Sequence, residues 1–232
     1  MGSNYKDSDI HYGVDLVFCI DATGSMGPLL DTVKQNALNF YKDFMATMEE
    51  HEKSVEQLRI RIIAFRDYYY DREDAMLVTD FFTLPEYTEE FENCIRSIRP
   101  QGGGDEPEDG LEALAYAMKS DWTRSGDIRR HVIVVWTDDG THDLGFGMSA
   151  PNYPEGMARD FDELTEWWGS RNRPGYMEER SKRLLLFTPD KPYWNTISAN
   201  WNNVIHYVSP EAGNGLQEVE YRQILSVICN SI

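Results

Sequence analysis

Near the start of the chain Asp21, Thr23 and Ser25 stand at alternate positions, with the small residues Ala22 and Gly24 between them. One carboxylate and two hydroxyls so spaced on a tight loop make a cluster of hard oxygens, the donor type that suits Mg²⁺, Mn²⁺ or Ca²⁺. Asp, Thr and Ser are also favoured helix N-caps, and strand-to-helix loops tend to carry them. By itself the pattern serves either use. Acids recur in two later segments, Gln101-Gly-Gly-Gly-Asp105-Glu-Pro-Glu-Asp109 and Thr137-Asp138-Asp139.

The elements that carry these segments decide whether they can act together. Residues 16–20 are a continuous apolar run rich in β-formers, which is how a strand buried on both faces reads. Pro28 then opens a helix to about residue 50, with Leu30, Val33, Ala37, Phe40, Tyr41, Phe44 and Met48 at three-and-four spacing. Residues 58–65 and 75–84 read as second and third strands. The charged connection between them has no room for the dozen or more residues of a parallel crossover, so the two should pair as an antiparallel hairpin.

That hairpin sets the direction of the later elements. A helix over 86–98 climbs to the edge that holds Asp21 and stops at Pro100, a helix over 107–120 descends, and a strand over 131–136 climbs again. Asp21, Thr23, Ser25, Asp105 and Asp138 therefore meet at one rim, the rim where open α/β sheets bind ligands. Convergence of three separate segments favours a cation site over capping. Strands over 184–187 and 204–208, a short helix over 193–201 and a final helix over 216–228 complete the pattern.

Composition narrows the function. A chain of 232 residues is long enough for one large domain, and its formal net charge of -18 excludes nucleic acid and anionic membranes as natural partners. Three cysteines, Cys19, Cys94 and Cys229, read as small apolar residues in a reducing compartment rather than a disulfide frame. The sequence shows neither a membrane-length apolar run nor a signal-peptide pattern, and Lys6 stands where a myristoylation motif starting at Gly2 wants Ser or Thr. A cytoplasmic location is expected. Residues 1–11 are expected to be a flexible N-terminal segment and 12–232 one domain, with a long insert at about 140–182. In that insert, which holds a helix over 160–170, Phe161, Trp167 and Trp168 are expected to pack it against the body.

The segments Val-Phe-Cys-Ile-Asp21-Ala-Thr23-Gly-Ser25-Met, Gly102-Gly-Gly-Asp105-Glu-Pro-Glu108 and Val-Val-Trp-Thr137-Asp138-Asp-Gly140 together resemble a von Willebrand factor A domain, of the intracellular type found in tellurium-resistance-associated proteins and beside some atypical kinases. The resemblance implies an α/β fold: a doubly wound, mostly parallel six-stranded sheet with one antiparallel edge strand and helices on both faces. It implies a metal-ion-dependent adhesion site with Asp21, Thr23 and Ser25 on the first loop and Asp138 on the third. Many members place a threonine on the second loop. None stands there here, and Asp105 is the nearest substitute, ahead of Glu106 and of Glu108, which also suits the N-terminus of a helix. Mg²⁺ is the expected ion, with Mn²⁺ or Ca²⁺ as alternatives. It would bridge to an Asp or Glu of a protein partner, with Met26, Tyr69, Asp139 and His142 on the surrounding rim and the chain a monomer when isolated.

The rival readings are a metal-dependent hydrolase or phosphotransferase and a scaffold with a vestigial metal site. Against the enzyme, the histidines at 11, 51, 131, 142 and 206 form no ligand-like pair, and Ser25 lacks the first glycine of a nucleophile elbow.

Overall fold

The computed structural model describes residues 10–104, 107–209 and 221–232, apart from the Leu38 side chain. In chain order the elements are β1 (His11–Asp21), α1 (Gly27–Glu50), β2 (Ser54–Phe65), β3 (Met76–Val78), β4 (Phe82–Leu84), α2 (Thr88–Ser97), α3 (Gly110–Met118), β5 (Ile128–Trp136), α4 (Phe161–Trp168), β6 (Gly169–Ser170), β7 (Arg173–Pro174), β8 (Lys182–Thr188), α5 (Trp194–Asn200), β9 (Val204–Val208) and α6 (Tyr221–Ser231).

Side chains of a strand alternate between the two faces of its sheet. Along β1, Leu16, Phe18 and Ile20 enter one apolar cluster and Val17 and Cys19 the other. The same split runs through β5, where Val132, Val134 and Trp136 face one way and Ile133 and Val135 the other. Both faces are thus apolar and both are covered. α1, α2 and α6 pack on the first face, α3, α4 and α5 on the second. The expected stripe of α1 is in place, with Leu30, Ala37, Phe40, Phe44 and Met48 buried.

The main sheet runs β3-β2-β1-β5-β8-β9, with β4 also on β2. β1 pairs in parallel with β2 and β5, and β8 in parallel with β5 and β9. The edge is antiparallel, as the short connection from Arg66 to Asp74 requires. The expected third strand, however, is divided. Val78 lies opposite Ile63 and Phe82 opposite Ile60, so four steps on the edge span three on β2. The extra residue bulges out of the ladder. Thr79 satisfies the interrupted pairing: its amide donates to the Ile62 carbonyl and its Oγ1 accepts the Ile62 N–H at 3.0 Å. Six expected strands become seven segments on six positions.

Within the insert Trp168 is fully buried, Trp167 is buried and Phe161 packs partly buried on the second cluster, as expected of packing residues. Asp160 caps α4 by accepting the Glu163 N–H at 2.8 Å. Directly after α4 comes the two-residue pairing of β6 with β7, which the sequence pattern does not announce. Lys182, fully buried in β8, holds the insert down: its Nζ donates to the Trp168 carbonyl and meets Glu179 Oε2, each at 2.7 Å. The flexible segment expected over 1–11 lies outside the described residues except for its end, and His11 already belongs to β1. The expected start of the last helix, 216–220, also lies outside them. Among the described residues no helix is long and apolar enough to cross a membrane.

Candidate metal centre

Asp21 is the last residue of β1 and is fully buried at the rim. Its Oδ1 accepts from the Thr23 amide at 2.9 Å and from Thr23 Oγ1 at 2.6 Å, and its Oδ2 accepts from Thr137 Oγ1 at 2.7 Å. Thr23 Oγ1 lies 3.4 Å from Ser25 Oγ, which donates to Asp138 Oδ1 at 3.1 Å. The first and third loops are therefore joined by an unbroken run of oxygens from Asp21 to Asp138. Capping does not explain them. Thr23 precedes a 3-10 turn over Gly24–Met26, yet its side chain caps neither that turn nor α1. Ser25 is exposed, so the cluster opens to solvent there.

Burial makes the cluster costly without a cation. It pushes the Asp21 carboxyl up to about 6, against the lowering effect of the Thr23 and Thr137 hydrogen bonds, and Asp138 adds to the rise. Asp138 is itself raised, first by burial, with its Ser25 hydrogen bond opposing.

On the second loop, Asp105 and Glu106 lie outside the described residues. Among the described residues of this loop Asp109 is fully buried, and Glu108 is buried as well, only 4 % exposed. Gly103 makes this possible. It has φ +77°, and a Cβ there would lie 2.8 Å from Glu108 Oε1 and 3.2 Å from Thr23 Cγ2. Only a glycine lets the loop pass so close to both side chains. Glu108 Oε2 is buried with no hydrogen-bond partner. Burial, then Asp21, Asp67, Asp71 and Asp109, drive this carboxyl up to about 9. A buried carboxyl oxygen without a partner, within the field of Asp21, is a hard donor of the type that divalent cations take. Glu108 is not a helix-start charge: α3 begins at Gly110, with Asp109 in the cap position.

Arg66, at the end of β2, holds the loops in place. Its guanidinium donates to four backbone carbonyls: Ala22 at 3.1 Å, Arg99 at 2.7 Å, Gln101 at 2.8 Å and Asp74 at 2.5 Å. One side chain thus ties the first loop, both ends of the turn into the second, and the hairpin. Nothing in the local sequence marks it beyond its place just after a strand.

The expected rim is only partly a rim. Tyr69 is 55 % exposed, and it sits edge-to-face on Tyr70 with ring centroids 5.1 Å apart. Met26, by contrast, is buried in the core beneath α1 and contributes nothing to the surface. His142 is buried as well, its Nε2 2.9 Å from Asp67 Oδ2 and its ring stacked on Phe146 at 3.8 Å. Asp139 is half-buried, with its Oδ1 accepting the Gly140 N–H at 2.6 Å and lying 3.7 Å from Lys191 Nζ.

A doubly wound sheet whose parallel strands deliver acids and hydroxyls to one carboxyl-end rim defines a class of α/β ligand-binding domains. Within that class the assignment is specific: the sequence model of the von Willebrand factor A domain matches residues 15–144, more than half of the chain, and the chain belongs to that family. Among curated proteins it is similar to alpha-protein kinase vwkA of Dictyostelium discoideum, 27 % identical over 143 residues, which is 62 % of this chain and 21 % of that protein. The chain thus spans about a fifth of the length of that relative. Among solved structures, the pilus adhesin SpaC of Lactobacillus rhamnosus GG in its open conformation shares the fold, with a TM-score of 0.50 at 10 % identity over 94 % of this chain and 30 % of that one. The vWF domain of the type V pili tip protein Mfa5 of Porphyromonas gingivalis is 20 % identical over 57 % of this chain and 40 % of that one, with a TM-score of 0.39.

Proposed function

We propose that the chain is a divalent-cation-dependent protein-interaction module, with Mg²⁺ as its ion. Asp21, Thr23, Ser25, Glu108 and Asp138 would hold the ion, the acids in part through water, as Mg²⁺ commonly keeps several waters. A cation bound there supplies positive charge for the buried acids and an open position for an Asp or Glu of a protein partner. The observation that carries the reading is that Thr23 and Ser25, instead of capping a helix, link Asp21 to Asp138.

The protein's own residues divide the work. Asp21 and Glu108 would supply buried negative charge once a cation displaces their protons, Ser25 stands at the solvent side, and Tyr69 and Tyr70 are exposed on the hairpin after β2. Binding fits these residues better than catalysis. His142 is engaged by Asp67, and His131 lies opposite Asp15, six residues before Asp21 on β1, with its Nε2 3.1 Å from the Thr123 carbonyl, so neither is placed as a general base for the cluster. A role as an adaptor or regulatory part of an intracellular complex accords with this reading, supported by the similarity to one region of a much longer kinase.

Calorimetric titration of chelator-treated protein with Mg²⁺ tests the reading. We expect one site in the wild type, lost in Asp21→Ala and Asp138→Ala with circular dichroism unchanged, and partner capture that chelator abolishes. Uptake of Mg²⁺ by both variants as by the wild type would sink it.

A further inference from the structure

Behind the oxygen cluster lies a second group of donors with different chemistry. Asp67, Asp109 and His142 are all buried, and one ligand atom from each lies within 4.8 Å of the other two. They come from three separate places: the hairpin after β2, the residue before α3, and the loop after β5. The backbone fixes all three. Asp67 Oδ1 accepts the Tyr69 and Tyr70 N–H groups at 2.5 and 2.9 Å, Asp109 Oδ2 accepts the Tyr68 N–H at 2.7 Å, and the His142 amide donates to the Glu108 carbonyl at 3.0 Å.

An independent feature points to a ligand at this place. Glu112, in the first turn of α3 and near enough to Asp67 for that charge to help raise its carboxyl, is fully buried with its Oε2 lacking any hydrogen-bond partner. Its other oxygen is satisfied by the Gly145 N–H at 2.8 Å and the Tyr153 hydroxyl at 3.0 Å. With Glu108, which adjoins Asp109 in sequence, four buried acids share this region with one imidazole, and the guanidinium of Arg66 is committed to backbone carbonyls. Buried charge of one sign needs compensation by a counter-charge or by protons. Carboxylates with an imidazole form a mixed oxygen–nitrogen donor set, which suits a borderline transition ion such as Zn²⁺ rather than Mg²⁺.

We propose that Asp67, Asp109 and His142 form a second, buried divalent-metal site of the Zn²⁺ type, which ties the hairpin, the start of α3 and the third loop together. Phe146, stacked flat on the His142 ring, covers its outer side. The site shares no ligand with Asp21, Thr23, Ser25 or Asp138, so it stands or falls apart from the proposed function.

The test is Zn²⁺ titration of the chelator-treated full chain in saturating Mg²⁺, which fills the first site. The wild type is expected to take up one Zn²⁺ per chain, with a shift of one histidine Nε2 signal in the ¹⁵N spectrum. Asp67→Asn and His142→Gln should weaken uptake by about a hundredfold or more, since even outer-shell partners cost 10- to 100-fold. Asp21→Ala should leave it unchanged. No stoichiometric uptake by the wild type, an unmoved histidine signal, or folded Asp67→Asn and His142→Gln proteins that bind as the wild type does would each overturn the site. Loss of Zn²⁺ in a folded Asp21→Ala would do the same, because the ion would then belong to the first cluster. Should the variants fail to fold, the histidine signal of the wild type alone decides.

Discussion

Replacing Asp21 by Asn tests the electrostatic account of the rim. In the folded protein this carboxyl sits at about 6, whereas an unfolded aspartate titrates near 3.9. The folded state therefore holds a proton that the unfolded state has released, and stability falls as pH rises between those values. A gap of about two pH units, at 1.36 kcal/mol each, amounts to about 3 kcal/mol lost by pH 7.5 when no cation is bound. Asn removes this cost. Its carbonyl can still accept from Thr23, and its amide can donate to Thr137 Oγ1, whose own proton turns to the Asp139 carbonyl at 3.5 Å. In chelator at pH 7.5 the variant should be the more stable by up to about 3 kcal/mol, about 6–12 °C in Tm for a chain of this size. Near pH 4 the difference should close. Mg²⁺ at a hundred times its Kd should return about 2.7 kcal/mol to the wild type and nothing to the variant. Urea denaturation at both pH values, with and without Mg²⁺, measures all of this. A variant less stable than wild type in chelator at pH 7.5, or a gap that persists unchanged at pH 4, would refute the reasoning.

Gly103→Ala should cost about 1–2 kcal/mol for its left-handed backbone and weaken Mg²⁺ binding by displacing Glu108, which denaturation and calorimetry read separately. Arg66→Met strands four carbonyls and should destabilise by about 3 kcal/mol or more; Arg66→Lys should recover little of it, because an ammonium has three donors and no planar fork. Lys182→Met should cost about 1–3 kcal/mol in urea, through the Trp168 carbonyl and Glu179 left without their partner. Glu108→Gln should abolish Mg²⁺ uptake in calorimetry while raising stability in chelator at pH 7.5, because it removes a carboxyl that burial holds at about 9.

The path of the chain is legible because it obeys local rules. An apolar run reads as a doubly covered strand, and a connection as short as the one from Arg66 to Asp74 forces the antiparallel edge. Together with the two helices that follow and the strand over 131–136, those facts bring Asp21 and Asp138 to one rim, where an oxygen run joins them. The features that sequence does not reveal depend on contacts far apart along the chain. That Glu108 is buried beside Gly103 and Thr23 depends on the left-handed turn at Gly103, which residue type alone does not place. His142 reads as a rim residue on a solvated loop, but Asp67, which precedes it by 75 residues, and Phe146 enclose it. Met26 adjoins the ligand pattern in sequence, yet the 3-10 turn over Gly24–Met26 rolls it inward. The bulge at Thr79 depends on one hydroxyl taking a ladder donor, a choice that alternation of residue types does not disclose.

Arg66 grips its loops only through amide carbonyls, and neither a guanidinium nor an amide changes charge anywhere in the range where carboxylates do. If the rim holds a cation as proposed, acid should release it by neutralising Asp21, whose carboxyl sits at about 6, while leaving the Arg66 contacts in place. The Arg66 part of the frame should therefore persist through a mild acid cycle, so emptying and refilling should be reversible, which circular dichroism and calorimetry before and after the cycle check.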